Sequence, residues 1–229
     1  STADIPRSKK MARGLITGAE GGLGLALLRA YSNAGDSVSV LCRGTSPELV
    51  AFAPDVHADV DVTNAAAVYR AAATMGEVPI DVLINNAGIM IEDDIDRLDI
   101  AAVRLQFEVN ALGPLNVALA FRRRLHIGSR VINISSRLGS ISDNESGDDY
   151  GYRMSKAAQN MLTSNLAIEL GKEGICVAAM HPGVVATDMT GDQGTTADEV
   201  AGDLKRTIDG LDMARSGSFL DRFGEEIPW

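Results

Sequence analysis

The chain has 229 residues, 45% of them apolar, enough to bury a full core and a length that suits one α/β domain better than two. Its formal charge of −10 argues against a broad basic surface for nucleic-acid phosphates, and no apolar run approaches the roughly twenty residues of a membrane span. Cys42 and Cys176 both fall in apolar predicted strands, which suits a reduced cytoplasmic protein better than a disulfide scaffold, and no metal site is assigned.

Residues 1–10 read as a flexible N-terminal arm ahead of a single domain at 11–229. The first strand is expected at 11–17, followed by T-G-A-E-G-G-L-G and an apolar helix pattern. In that turn Gly18 permits a tight bend, Gly22 lets backbone approach a pyrophosphate, and Gly24 allows close helix packing, with the helix N-terminus offering N–H groups to anionic oxygen. A second strand at 37–42 ends in Cys42-Arg43-Gly44. An acidic residue here would suit the ribose of NAD; Arg43 instead suits a 2′-phosphate, so NADP(H) is favoured, with NAD(H) still open because Glu20 adds negative charge nearby.

The third strand, expected at 55–62, ends in D-V-D-V-T, where Asp61 or Asp59 can accept from an adenine amino group and Thr63 can cap the helix that follows. A buried strand at 80–84 leads into N-N-A-G at residues 85–88, small groups able to pack close to a cofactor. A long helix is expected at 101–125 and contains Asn110. Pro114 lacks an N–H and clashes with the carbonyl four residues back, so a kink should free the Asn110 carbonyl for a water.

The strand at 130–135 delivers Ser135 and Ser136, at least one of which should emerge at the C-terminal edge of the sheet. After an acidic exposed insert at 143–149 comes Y-R-M-S-K, on a helix running to about residue 170. Tyr152 and Lys156 are four apart and share a helix face, so the ammonium is expected to lower the phenol from its usual value of about 10 toward neutrality. A strand at 175–180 ends in H-P-G-V-V-A-T-D-M, a substrate loop is expected at about residues 188–205, Thr196 and Glu199 suit a capping box, and a short strand at 218–220 closes the sheet. Strand and helix alternate throughout, which predicts a three-layer, doubly wound Rossmann fold with a mostly parallel sheet of about seven strands.

Taken together and in order, T-G-x-x-x-G-x-G at 17–24, N-N-A-G at 85–88, Asn110, Ser136, Tyr152 with Lys156, and Pro182-Gly183 resemble the short-chain dehydrogenases/reductases in their single-domain form. The S-S-R-L-G-S-I run and the terminal I-P-W look like the small carbonyl reductases of the C-factor type. The resemblance implies an NADP(H)-dependent oxidoreductase acting on a small-molecule carbonyl or secondary alcohol. Tyr152 would be its general acid/base, Lys156 would hold the nicotinamide ribose, Ser136 the substrate oxygen and Asn110 a relay water. It also implies cofactor contacts at Gly18, Gly22, Leu23, Gly24, Asn86, Ala87 and Gly88, at Asp61 and Val62 near adenine, and at Pro182, Gly183, Val185 and Thr187 near the carboxamide. The family often pairs through its two long helices, which implies a homodimer or homotetramer. Two other readings stand beside this one: a halohydrin-dehalogenase-like lyase, which would carry arginine in place of Lys156, and a nucleotide-bound signalling protein with incidental turnover.

Overall fold

The computed structural model describes residues 11–229, and the expected arm at 1–10 lies outside the described residues. The apolar runs form the strands β1 (Arg13–Thr17), β2 (Ser37–Leu41), β3 (Asp55–His57), β4 (Val82–Asn85), β5 (Arg130–Ile134) and β6 (Cys176–His181). They are followed by the two-residue strands β7 (Val185–Ala186) and β8 (Thr195–Thr196) and by β9 (Phe219–Asp221). Seven of these make one parallel sheet in the order β3-β2-β1-β4-β5-β6-β9, while β7 and β8 pair with each other. The three-layer Rossmann architecture read from the sequence is therefore the fold of the chain.

Both faces of the sheet are covered, which is why its central strands are apolar without alternation. On one face Val82 and Ile84 of β4, Ile132 of β5 and Ala178 of β6 join Leu27 and Leu28 of α1 (Gly22–Asn33), Leu49 of α2 (Pro47–Phe52) and Leu204 of α7 (Ala197–Gly210). On the other face Leu83, Val131 and Val177 meet Val68 of α3 (Ala65–Thr74), then Val117 and Phe121 of α5 (Gly113–Phe121), and Leu170 of α6 (Tyr150–Gly171). A further helix, α4 (Ile100–Phe107), packs beside α6.

Four local expectations change. The third strand stops at His57 because Asp59 takes a left-handed φ of 59°, turning the chain out of the ladder. The helix expected at 101–125 is divided by a π-helical turn, Glu108–Leu112, immediately before Pro114; Gly113 N–H reaches back to the Glu108 carbonyl, so an extra residue is absorbed where the proline cannot donate. The cap of α3 is Asn64, whose side chain accepts from Ala67 N–H at 3.1 Å, and not Thr63. The stretch 188–205, expected to be loop, is helix from Ala197 onward, where Thr196 caps α7 through the Glu199 N–H. In addition α2 was not foreseen, although Ser46 caps it, Pro47 opens it and Glu48 sits in its first turn.

Candidate active site

The strands β1 and β4 lie side by side, while the chain passes from β1 outward to β2 and β3 and from β4 outward to β5, β6 and β9. Such a switch point leaves a crevice at the C-terminal edge, and a cleft of about 620 Å³ occupies it. Its floor is made of backbone. Gly18 has φ +68°, and a Cβ there would stand 2.8 Å from the Ala87 Cα; a Cβ on Gly24 would overlap the Gly18 carbonyl oxygen. The Thr17 hydroxyl accepts from the N–H groups of Asn86 (3.1 Å) and Ala87 (3.0 Å), and the Asn86 amide donates to the carbonyls of Thr17 and Gly18. The glycine turn and the N-N-A-G turn are thus laced together. The N-cap of α1 is Gly21, without a side-chain cap, so the first-turn N–H groups of Gly22, Leu23 and Gly24 remain available to an anion.

At the outer end of the cleft Arg43 is 71% exposed and faces Glu20, whose carboxylate accepts its N–H at 3.4 Å and stands 3.8 Å from its guanidinium. Asp61, and not Asp59, lines the cleft; its carboxylate accepts both the N–H and the hydroxyl of Thr63 at 2.8 Å. Val62 lines it too, its carbonyl held by the Asn116 amide at 2.9 Å. Thr187 and Gly88 are also in the lining, whereas Pro182, Gly183 and Val185 are not.

Gly88 leads from the cleft to the polar cluster. A Cβ on it would lie 3.3 Å from Asn110 Oδ1 and 3.7 Å from Lys156 Nζ. Asn110 sits in the π turn, fully buried; its Oδ1 accepts from Ile89 N–H (2.9 Å), and its Nδ2 donates to the Ile89 carbonyl (2.8 Å) and to Ser155 Oγ (3.0 Å). One turn earlier Gln106 makes the same two-way pairing with Ile91. The two amides hold residues 89–91 extended as a neighbouring strand would. Ser136 Oγ accepts the Leu138 N–H at 3.2 Å and stands near enough to the Tyr152 phenol to favour its ionised form, whereas Ser135 is spent inside the protein on Asn160 Oδ1 at 2.6 Å. Lys156 Nζ lies 5.7 Å from the Tyr152 ring centre and donates to the Ile134 carbonyl at 2.8 Å and to Gln159 Oε1 at 3.1 Å.

The electrostatics of the free chain run opposite to the expectation for Tyr152. Burial pushes the phenol up to about 12; Ser136 favours the phenolate, and Asp149 opposes it. Burial brings Lys156 down from 10.5 to about 7. The desolvation that excludes water from the cluster outweighs the proximity of the two groups.

Three supports were not picked out from the sequence. The Asp93 carboxylate accepts Tyr150 N–H (2.5 Å) and Gly151 N–H (3.0 Å), capping α6 from a distant loop two residues before Tyr152. Gln106 and Gln159 are the others. None carries a local sequence signal: Asp93 lies in a loop, and Gln106 and Gln159 are polar helix residues whose burial only the fold reveals.

The pattern built from residues 13–198 matches the family model for short chain dehydrogenase. The chain is 37% identical over 222 residues to 1-hydroxy-2-glutathionyl-2-methyl-3-butene dehydrogenase of Rhodococcus sp. (strain AD45), covering 94% of this chain and 98% of that protein. It is 45% identical over 159 residues to C-signal of Myxococcus xanthus, covering 66% of this chain and 93% of that one. Among solved structures it is similar to NADPH-bound carbonyl reductase from chicken fatty liver, with a TM-score of 0.88, 30% identity, and coverage of 96% of this chain and 100% of that chain. The chain belongs to the short-chain dehydrogenase/reductase family. It is a single-domain oxidoreductase of that family, whose members use nicotinamide cofactors. No helix among the described residues is long and apolar enough to cross a membrane.

Proposed function

We propose that the protein is an NADP(H)-dependent carbonyl reductase, interconverting a ketone or aldehyde and its alcohol at the Tyr152 phenol. The observation that carries this reading is the contact of Ser136 with Tyr152, above a buried Lys156, beside the glycine wall of an anion-accepting cleft. The residues present fit a dinucleotide: side chains at Gly18 and Gly24 would fill the floor, and the bare first turn of α1 suits a pyrophosphate. Arg43 would take a 2′-phosphate, with Asp61 and Val62 along adenine and Thr187, after Pro182, Gly183 and Val185, on the carboxamide side. When bound, the nicotinamide supplies or accepts the hydride.

Tyr152 donates its proton to the carbonyl oxygen in reduction and removes the alcohol proton in the reverse direction, while Ser136 holds the same oxygen. A phenol at about 12 stays protonated near neutrality, so the proton needed for reduction is in place, while the phenolate needed for oxidation is scarce. Oxidation therefore needs added positive charge near Tyr152, which a charged Lys156 and an oxidised cofactor would share. Asn110, whose side chain is used on Ile89, would serve the proton relay through its backbone at the π turn.

Residues 188–196 form the substrate wall in this reading, and residues 11–229 form one domain. The free, buried Cys42 and Cys176 agree with a reducing, cytoplasmic setting. Homodimerisation is supported by exposed apolar side chains recurring every seven residues: Leu105 on α4, Leu112 at the end of the π turn and Leu119 on α5, and Met154, Met161 and Ile168 along α6. A homotetramer would use a further face. The relative named C-signal keeps a signalling role as the second reading, and a Tyr152→Phe protein that retained biological effect would favour it.

Equilibrium titration with NADPH and NADH at two ionic strengths tests the cofactor proposal. NADPH is expected to bind more tightly, with the margin shrinking as salt screens Arg43. A preference for NADH would remove the Arg43 assignment, and binding of neither would remove the reductase reading.

A further inference from the structure

The buried side of Lys156 carries a partner that the proposed chemistry leaves without a role. Gln159 lies one turn along α6, is fully buried, and accepts from the ammonium through Oε1 at 3.1 Å. Its Nε2 is buried with no hydrogen-bond partner. Reversing the amide would set an NH₂ donor against a group that has only donors when charged, so the oxygen-inward orientation is dictated by Lys156. A leucine would fill much the same space with no unmatched donor. The glutamine therefore carries a stability penalty, and its contact with Lys156 is the interaction that offsets it.

A lysine ammonium has three donors. The Ile134 carbonyl takes one at 2.8 Å and Gln159 a second. The third is left, and the glycine wall of the cleft stands beside it, where a side chain on Gly88 would come within 3.7 Å of Nζ. We propose that Gln159 is a positioning residue for Lys156, holding the ammonium together with the Ile134 carbonyl so that its remaining donor faces a ribose hydroxyl in the cleft. This deepens the reading of the cleft as an NADP(H) site and rests on it.

The test uses Gln159→Leu, Gln159→Met and Gln159→Glu in the full chain, with NADPH titration and thermal melting. The two apolar variants are expected to melt at or above the parent while binding NADPH about tenfold more weakly, and Gln159→Glu, which keeps an oxygen acceptor, to stay within about threefold of the parent. Unchanged or tighter NADPH binding in both apolar variants overturns the assignment, as does equal weakening in all three. A parent chain that binds neither NADPH nor NADH overturns the cofactor reading and this inference with it. A parent that binds, together with apolar variants that bind as well, overturns the inference alone.

Discussion

The two ends of the candidate site are built from different materials. Around β1 and α1 the cleft is backbone: glycines that exclude side chains, bare N–H groups, and turns laced through Thr17 and Asn86. Around β5 and α6 the site is side chain: a phenol, a hydroxyl, an ammonium and two amides, all of them buried. A backbone site is damaged by adding atoms, because there is no room for them. A side-chain site is damaged by removing one functional atom, with the volume unchanged. The two halves should therefore respond to opposite kinds of substitution, and in different measurements.

The largest separation is expected from Tyr152→Phe, which deletes one oxygen. Turnover should fall by roughly a thousandfold, within the usual range for loss of a general acid, while NADPH affinity stays where it was. Retained turnover would move the proton donor elsewhere. On the backbone side, Gly24→Ala adds one carbon that would overlap the Gly18 carbonyl and press on Asn86 Nδ2. It is expected to cost about 3 kcal/mol of stability and most of the NADPH affinity, since the turn must open to admit it. Unfolding in urea and nucleotide titration read the two effects. A stable variant that binds normally would mean the turn has slack that the packing denies.

A smaller effect is expected where the halves of the argument meet charge. Arg43 is largely exposed and already faces Glu20, so its contribution to a 2′-phosphate is screened and contested. Arg43→Ala should weaken NADPH about fivefold to tenfold and leave NADH unchanged, while Glu20→Gln should tighten NADPH by a smaller factor. Equal effects on both nucleotides would show that Arg43 supports the loop and does not read the phosphate.

The same division explains how much could be seen in the sequence. Glycine spacing is local, so Gly18, Gly22 and Gly24 were legible, as were the apolar strands and the pairing of Tyr152 with Lys156 on one helix face. The π turn was legible only as a kink at Pro114, because the extra residue it absorbs has no composition of its own. The direction of the Tyr152 shift was misread: sequence shows the lysine four residues away but not the burial that outweighs it. Asp93, Gln106 and Gln159 were invisible, since a buried carboxylate or amide is recognisable only once the groups it satisfies are known. The end of β3 and the start of α2 were a different failure, one of weighing local signals that were present.

The side-chain half also holds a titrating group outside the proposed chemistry. His181 ends β6, and its Nδ1 accepts the Arg137 N–H at 3.2 Å, next to Ser136. Burial, then Arg137, bring it down from 6.5 to about 4, with Asp221 pulling the other way and Arg222 adding to the depression. The unfolded chain therefore takes up a proton between about pH 6.5 and pH 4 that the folded chain refuses, so this residue's share of stability is intact above pH 6.5 and is lost as pH falls toward 4. Protonation would also turn Nδ1 into a donor and break its bond to Arg137. His181→Asn keeps an acceptor but does not titrate. Stability of the parent should then fall below that of the variant by about 3 kcal/mol across this window, with the two profiles parallel above it. Parallel profiles throughout would place His181 in contact with water, and the turn carrying Ser136 would then lack the dry support that the side-chain half of the site otherwise has.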